Sequence, residues 1–250
     1  VRDPRSGWIQ LSAAEFVLVW SAMRLGPVPL ALGIPNIGRT TRSRAELADE
    51  ASLTLSSREL GTVQEPARDL ALVLRQLASA QVLVDMTVDG QESSLAAIGS
   101  ITPRGNAVAA RVSDEVRIGP VERVAVSLLD AVIPLPAGPG SSVNIRVADY
   151  EDACAEGVHD GISGFVRVLA HAGIRQADAT MVARAITDRL GGGRLGVSHG
   201  RDRFSMSWVD TPDGRYVLRS VNGWVSVVPV DPHRLSVMAD EMVVSSAAMS

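Results

Sequence analysis

The stretch SWVDTPDGRYVLRSVNGWVSVVPVDPHRL, Ser207 to Leu235, leaves the backbone few choices. Just before and within it, Phe204, Met206 and Trp208 alternate with Ser205 and Ser207, the period of a strand with one buried face. Pro212-Asp213-Gly214 and Asn222-Gly223 are tight-turn sequences, and Trp224 to Val228 predicts a third strand. Asp231 is placed to cap a helix with Pro232 at its first position. Leu235, Met238, Ala239 and Met242 then give that helix one apolar stripe. The segment predicts a meander of antiparallel strands running into a helix.

A weaker version of the same plan lies between Val82 and Leu128. Asp89-Gly90 and Gly105-Asn106 separate alternating runs, and PVERVAVSLLDAVIPL predicts a helix with Pro120 near its first turn. The segments ahead of the two meanders also correspond. WIQLSAAEFVLVWSAM predicts a short strand, then a helix with Ser12 as N-cap and Glu15 completing a capping box. Phe16, Val19, Trp20 and Met23 follow at helical spacing. VNIRVADYEDACAEGV repeats strand, polar break and helix, with Ile9 matching Ile145 and Leu11 matching Val147. TRSRAELADEASLTLSSREL predicts a polar helix with a break near Thr54, and Leu70, Val73, Leu74 and Leu77 mark another amphipathic helix. ADATMVARAITDRL predicts a further helix, stopped by Gly191 to Gly193. Both halves therefore read as strand, helices, meander, helix, and two such meanders can join into one continuous sheet. PLPAGPGSS is the clearest break between them.

Composition narrows the function classes. The chain has 250 residues, 46% of them hydrophobic, enough to bury a substantial core. Its net charge is -4, and its 24 basic residues, all arginine, are scattered among acids. That balance argues against nucleic acid as a partner. The one cysteine, Cys154, excludes an internal disulfide and a cysteine-rich zinc site. No run is long and apolar enough to span a membrane, and VRDPRSGWIQ lacks the apolar stretch of a signal peptide. The expectation is a soluble cytoplasmic protein without membrane insertion.

The sharpest sign of catalysis is GVSHG, Gly196 to Gly200, which fits the G-x-S-x-G nucleophile elbow with Ser198 as nucleophile; Asp231 and His233 follow in hydrolase order. An elbow needs a strand before it and a helix after it. Here a predicted helix precedes and a predicted strand follows, so a serine hydrolase is only the alternative reading. LGGGRLGVSHGRD lacks the terminal Lys-Ser/Thr of a phosphate loop and reads as a flexible glycine-rich connector. The four histidines show no metal-binding spacing, and no cofactor is implied. Surface remains. Trp8, Trp208 and Trp224 fall on predicted strands, and a sheet covered by helices on one face can leave the other bare as a docking platform.

GRYVLRSVNGWVSVVPVDPHRL resembles the C-terminal signature of the EspG family, LSAAEFVLVW with LGPVPLALGIPNIGRT its N-terminal segment, and PLPAGPGSSVNI its mid-chain linker. The resemblance implies a single α+β domain over residues 1–250, with pseudo-symmetric halves 1–136 and 141–250 and a linker at 134–142. One central antiparallel sheet would be flanked by N- and C-terminal helical bundles. It implies a non-enzymatic cytosolic chaperone of type VII (ESX) secretion, monomeric or weakly dimeric, that grips the tip of the PPE protein in PE–PPE heterodimers. A secretion adaptor with other clients is a further alternative. The contact regions implied for the family place Gln91, Glu92 and Ser94 after the first hairpin turn. Leu195, Val197, His199, Arg201 and Arg203 fall in the connector, and Trp208, Asp213, Arg215 and Arg219 on the second meander. Charge reversal at Arg215 or Arg219 is expected to affect client binding more than stability.

Overall fold

The alternating stretches all enter one sheet. The computed structural model describes residues 3, 6–35, 37–38, 40–90 and 94–248. In chain order the strands are β1 (Ile9–Ser12), β2 (Val82–Asp89), β3 (Ser94–Ile101), β4 (Asn106–Val112), β5 (Glu115–Val121), β6 (Val143–Arg146), β7 (Gly191–His199), β8 (Asp202–Thr211), β9 (Gly214–Val221) and β10 (Trp224–Pro229). They form a 10-stranded antiparallel sheet in the order β1-β5-β4-β3-β2-β7-β8-β9-β10-β6. The short strands β1 and β6 lie at the two edges. At the middle, β2 and β7 pair along their whole length, from Val82 opposite His199 to Asp89 opposite Gly192.

Seven α-helices lie among the described residues: α1 (Ala13–Ala22), α2 (Thr41–Ser56), α3 (Arg68–Ala78), α4 (Val124–Leu129), α5 (Val147–His171), α6 (Gln176–Thr187) and α7 (Pro232–Ala248). A 3-10 turn spans Leu30–Leu32. The capping box at α1 forms: the Glu15 N–H donates to Ser12 Oγ (3.1 Å) and the Ser12 N–H to Glu15 Oε2 (2.8 Å). α2 runs through Thr54 without the expected break: its hydroxyl lies 2.6 Å from Glu15 Oε1 and 3.0 Å from the Ala51 carbonyl of its own turn, and the helix continues past both contacts. Asp231 caps α7 by accepting the Arg234 N–H (2.7 Å).

Helices cover both faces of the sheet, which corrects the expectation of one bare face. α1, α2, α3 and the 3-10 turn bury Ile9, Leu11, Ile98, Ala107, Ala109, Val116 and Ile118 on one face. α5 and α6 cover Val143, Ile145, Val209, Tyr216, Val225 and Val227 farther along that same face. On the opposite face α4 and α7 pack together over Val84, Met86, Val108, Leu195, Val197, Met206, Trp208 and Val217.

Two further corrections concern glycine and proline. Gly191 to Gly193 do not stop a helix before a flexible connector; they open β7, which pairs with β2 and β8. The strand needs glycine because its neighbours use the space: a Cβ at Gly193 would lie 2.2 Å from the Trp208 ring and 2.5 Å from the Thr87 carbonyl. Pro120 sits in β5, not in a helix. β1 pairs with β5 only as far as Ile118, so Pro120 lies where β5 has become an edge.

Candidate functional site

Between the two helical layers on the shared face, the middle of the sheet is left open. Strand register defines its floor. Asp85, Thr87 and Asp89 of β2 stand beside Gly196, Arg194 and Gly192 of β7. Ser205 and Ser207 of β8 lie beyond them, and the next residue of that row, Val209, already lies under α5 and α6. The row is polar where the same face elsewhere is apolar, so no helix has an apolar stripe to bury there. Three strands span about 10 Å, close to the diameter of one helix.

One ion pair is built into this floor. Arg203 Nη1 lies 2.9 Å from Asp85 Oδ1, while Arg203 Nη2 donates to Asp85 Oδ2 at 3.0 Å and Nη1 to Ser198 Oγ at 2.9 Å. This fork arrangement is the favoured geometry for guanidinium and carboxylate. It lies across Gly196, where a Cβ would stand 2.6 Å from Arg203 Nη2. Near the end of the floor, Arg189 Nη2 lies 3.7 Å from Asp89 Oδ2. Apolar side chains border the region: Leu30, 94% exposed on the 3-10 turn that touches β2 and β3, and Leu190, exposed just before β7.

This arrangement holds no nucleophile–base pair around Ser198. The residue is inside β7, a hairpin follows it, and its hydroxyl accepts from an arginine. His199 faces the opposite side, its Nδ1 2.9 Å from the Ser246 carbonyl oxygen. Cys154 is also a poor nucleophile: burial pushes its thiol pKa up despite the hydrogen bond with Tyr150, whose own pKa is raised to about 12 by burial and the Cys154 contact. Among the described residues no group of His, Cys, Asp and Glu gathers to hold a metal ion, and no helix is long and apolar enough to cross a membrane.

The sequence model of the EspG family matches residues 12–241. The chain belongs to the EspG family. No curated protein matches its sequence. Among solved structures it is similar to the type VII secretion system chaperone EspG5 of Mycobacterium tuberculosis, solved in complex with the PE25-PPE41 dimer. The TM-score is 0.76 at 13% identity, covering 94% of this chain and 95% of that chain. At that identity the likeness is one of fold.

Within this EspG fold the expected contact residues that are described separate into four groups. Ser94 and Arg203 lie on the face of the open strip, Ser94 exposed at the start of β3. Arg201 and Asp213 are exposed on the turns after β7 and β8. His199 and Arg219 are half-buried on the opposite face, so one partner surface does not unite them with Arg203. Leu195, Val197, Trp208 and Arg215 are corrected outright: they are buried, and present no side chain to a partner. The first three belong to the core under α4 and α7. Arg215, only 1% exposed, holds Asp210 through Nε (2.5 Å) and Nη2 (3.1 Å), and donates from Nη2 to the Ile133 carbonyl (2.9 Å). Its backbone bonds to Pro136 and Gly138 stitch the mid-chain break to β9. Charge reversal at Arg215 thus strikes folding first, contrary to the sequence-based expectation. Gln91 and Glu92 lie outside the described residues. The sequence reading missed Asp85, Thr87, Arg194, Ser205 and Ser207 as site residues; alternation along β7 would have placed Arg194 on a strand face had its glycines not been read as a connector.

Proposed function

We propose that this chain is a cytosolic chaperone of type VII secretion that binds the PPE tip of PE–PPE heterodimers and keeps the pair soluble until export. The observation that carries the proposal is the family match over residues 12–241. The fold likeness to EspG5, a chaperone seen with a PE–PPE dimer, supports it. The mode of action is binding without a covalent step.

The scaffold is a single EspG-like domain of two pseudo-symmetric halves, 1–136 and 141–250, joined by the linker at 134–142, with helical bundles near each end. Support comes from the strand order, which read inward from either edge gives the first strand of five, then the fifth, fourth, third and second. A client tip with exposed apolar side chains would otherwise self-associate. Seated on the open strip between the helical layers, it would be covered on one side by the floor and flanked by Leu30, Leu190 and Ser94. A specific complex would bury on the order of 1,200–2,000 Å² in total. Charged rim residues, Arg201, Arg203 and Asp213 among them, would select among clients. The free chaperone is a monomer or a weak homodimer.

Co-expression with PE–PPE pairs, followed by capture through a tag on the pair and sizing of the product, tests this reading. The expected result is a stable ternary complex of one chaperone with one pair. Failure to retain any pair, with clients as insoluble as when expressed alone, overturns it.

A further inference from the structure

We infer that Arg194, at the centre of the open strip, is the docking point for a carboxylate on the client's helical tip. This rests on the function proposed above. Arg194 is on β7, one of the two middle strands of the sheet, and pairs in register with Thr87 and Ser207. It is exposed, and among the described residues its guanidinium has no hydrogen bond or ion pair. An arginine in that condition is ordinary on a turn, as at Arg201. On the floor of a sheet, between two helical layers, it is a charge set where a partner must approach.

The surrounding charges favour an anionic occupant. Asp85 is committed to Arg203 by an ion pair and a hydrogen bond, and Asp89 lies beside Arg189. Each described acid of the floor thus faces an arginine of its own, and among the described residues Arg194 remains as the uncompensated charge. Within its row on β7 it stands between Gly192 and Gly196, so no side chain of its own strand screens it. The hydroxyls of Thr87 and Ser207 flank it on both neighbouring strands, with no intramolecular hydrogen bond among the described residues. A planar guanidinium with five donors, beside free hydroxyls, matches an Asp or Glu carboxylate. The strip is about as wide as one helix, so the carboxylate must project from a tip entering end-on or edge-on. Apolar neighbours on that tip would meet the rim at Leu30 and Leu190. Arg203, already neutralised and held by Ser198, orders the floor and leaves Arg194 to read the client.

The probe is the PE–PPE pair that the wild-type chain retains on co-expression, with affinities then measured on purified components. Arg194→Glu should weaken binding by roughly 10- to 100-fold, since a like charge now faces the carboxylate. Arg194→Lys should keep part of the affinity, and Arg201→Glu on the adjoining hairpin should lose less. Melting temperatures of all three should match the wild type, as the exposed side chains of Arg194 and Arg201 make no hydrogen bond or ion pair among the described residues. Changing one acidic residue of the client tip to arginine should restore binding to Arg194→Glu alone. Wild-type affinity in both Arg194→Glu and Arg194→Ala overturns the assignment while the chaperone function stands. A wild-type chain that retains no pair overturns both.

Discussion

The helical layer over the first five strands and the layer over the last five answer the same packing problem with different materials. The first is built from large side chains: Phe16 and Trp20 stack with ring centroids 5.5 Å apart, and Leu32, Leu55, Leu60, Leu70 and Leu74 are fully buried around them. It also holds a buried charge, Glu15, satisfied by Ser12, Thr54 and Arg58. The second layer is alanine-rich, with Ala153, Ala179, Ala183 and Ala185 in its core and Tyr150 edge-on to Phe165. α5 is broken at Gly161, where φ is 62° and ψ is -150°. An apolar slot of about 190 Å³ opens between α5 and α6 beside the break, and Val158 and Ile162 near it are exposed. One layer is a fixed anchor. The other keeps a jointed helix and exposed apolar surface.

The strongest way to break this contrast is to hollow both layers. Trp20→Ala should cost about 3–5 kcal/mol in chemical denaturation, because a stacked, fully enclosed ring leaves a cavity. Phe165→Ala should fall at the low end, about 3 kcal/mol, since Phe165 already borders an open slot. Equal losses would erase the distinction.

Next in size is Glu15→Ala, expected to cost about 2–3 kcal/mol through the lost cap and the half-buried Arg58 left without its partner. The same residue predicts a pH signature. Burial alone would raise its pKa, but hydrogen bonds from Thr54, the Ser12 N–H and Arg58 outweigh it and hold the carboxyl below its usual value. The unfolded chain therefore binds a proton there more readily. Its stabilisation is complete above the ordinary carboxylate range and disappears as pH falls through the lower folded value. Acid melts of Glu15→Gln should show a shallower decline than wild type over that window.

Gly161→Ala is smaller, about 1–3 kcal/mol, because the added Cβ meets no neighbour within 4 Å and only the backbone conformation resists it. If the break serves client fitting, affinity for a PE–PPE pair should fall more than the melting temperature does. The smallest effect belongs to the sheet edge under the second layer. Arg146 stacks over Trp224 at 5.6 Å, and Arg146→Ala should cost no more than about 1 kcal/mol in a thermal melt.

Much of this architecture was legible in one dimension because local chemistry agreed with the tertiary result. Asp213-Gly214 and Asn222-Gly223 turn where turns are needed, Ser12 and Glu15 form their box, and Leu235, Ala239 and Met242 face the core. The middle of the sheet was not legible. Glycines in β7 resemble a breaker along the chain, whereas their purpose is lateral: Gly193 makes room for Trp208 and Gly196 for the Arg203–Asp85 pair. Arg215 looked like surface for a similar reason. Asp210, five residues away on the paired strand, and the Ile133 carbonyl bury it, and neither bond leaves a trace in periodicity. The strip became recognisable only once two distant segments were laid side by side.

That pairing of β2 with β7 also has a consequence for biosynthesis. An emerging chain completes β1 to β5 well before Gly191–His199 leaves the ribosome, so β2 waits as an eight-residue edge on which alternate residues present unpaired amides and carbonyls. Such an edge invites pairing with strangers. A protein proposed to guard others from aggregation thus passes through an interval of its own during translation when it is the vulnerable party, and premature termination before β7 should yield inclusion bodies.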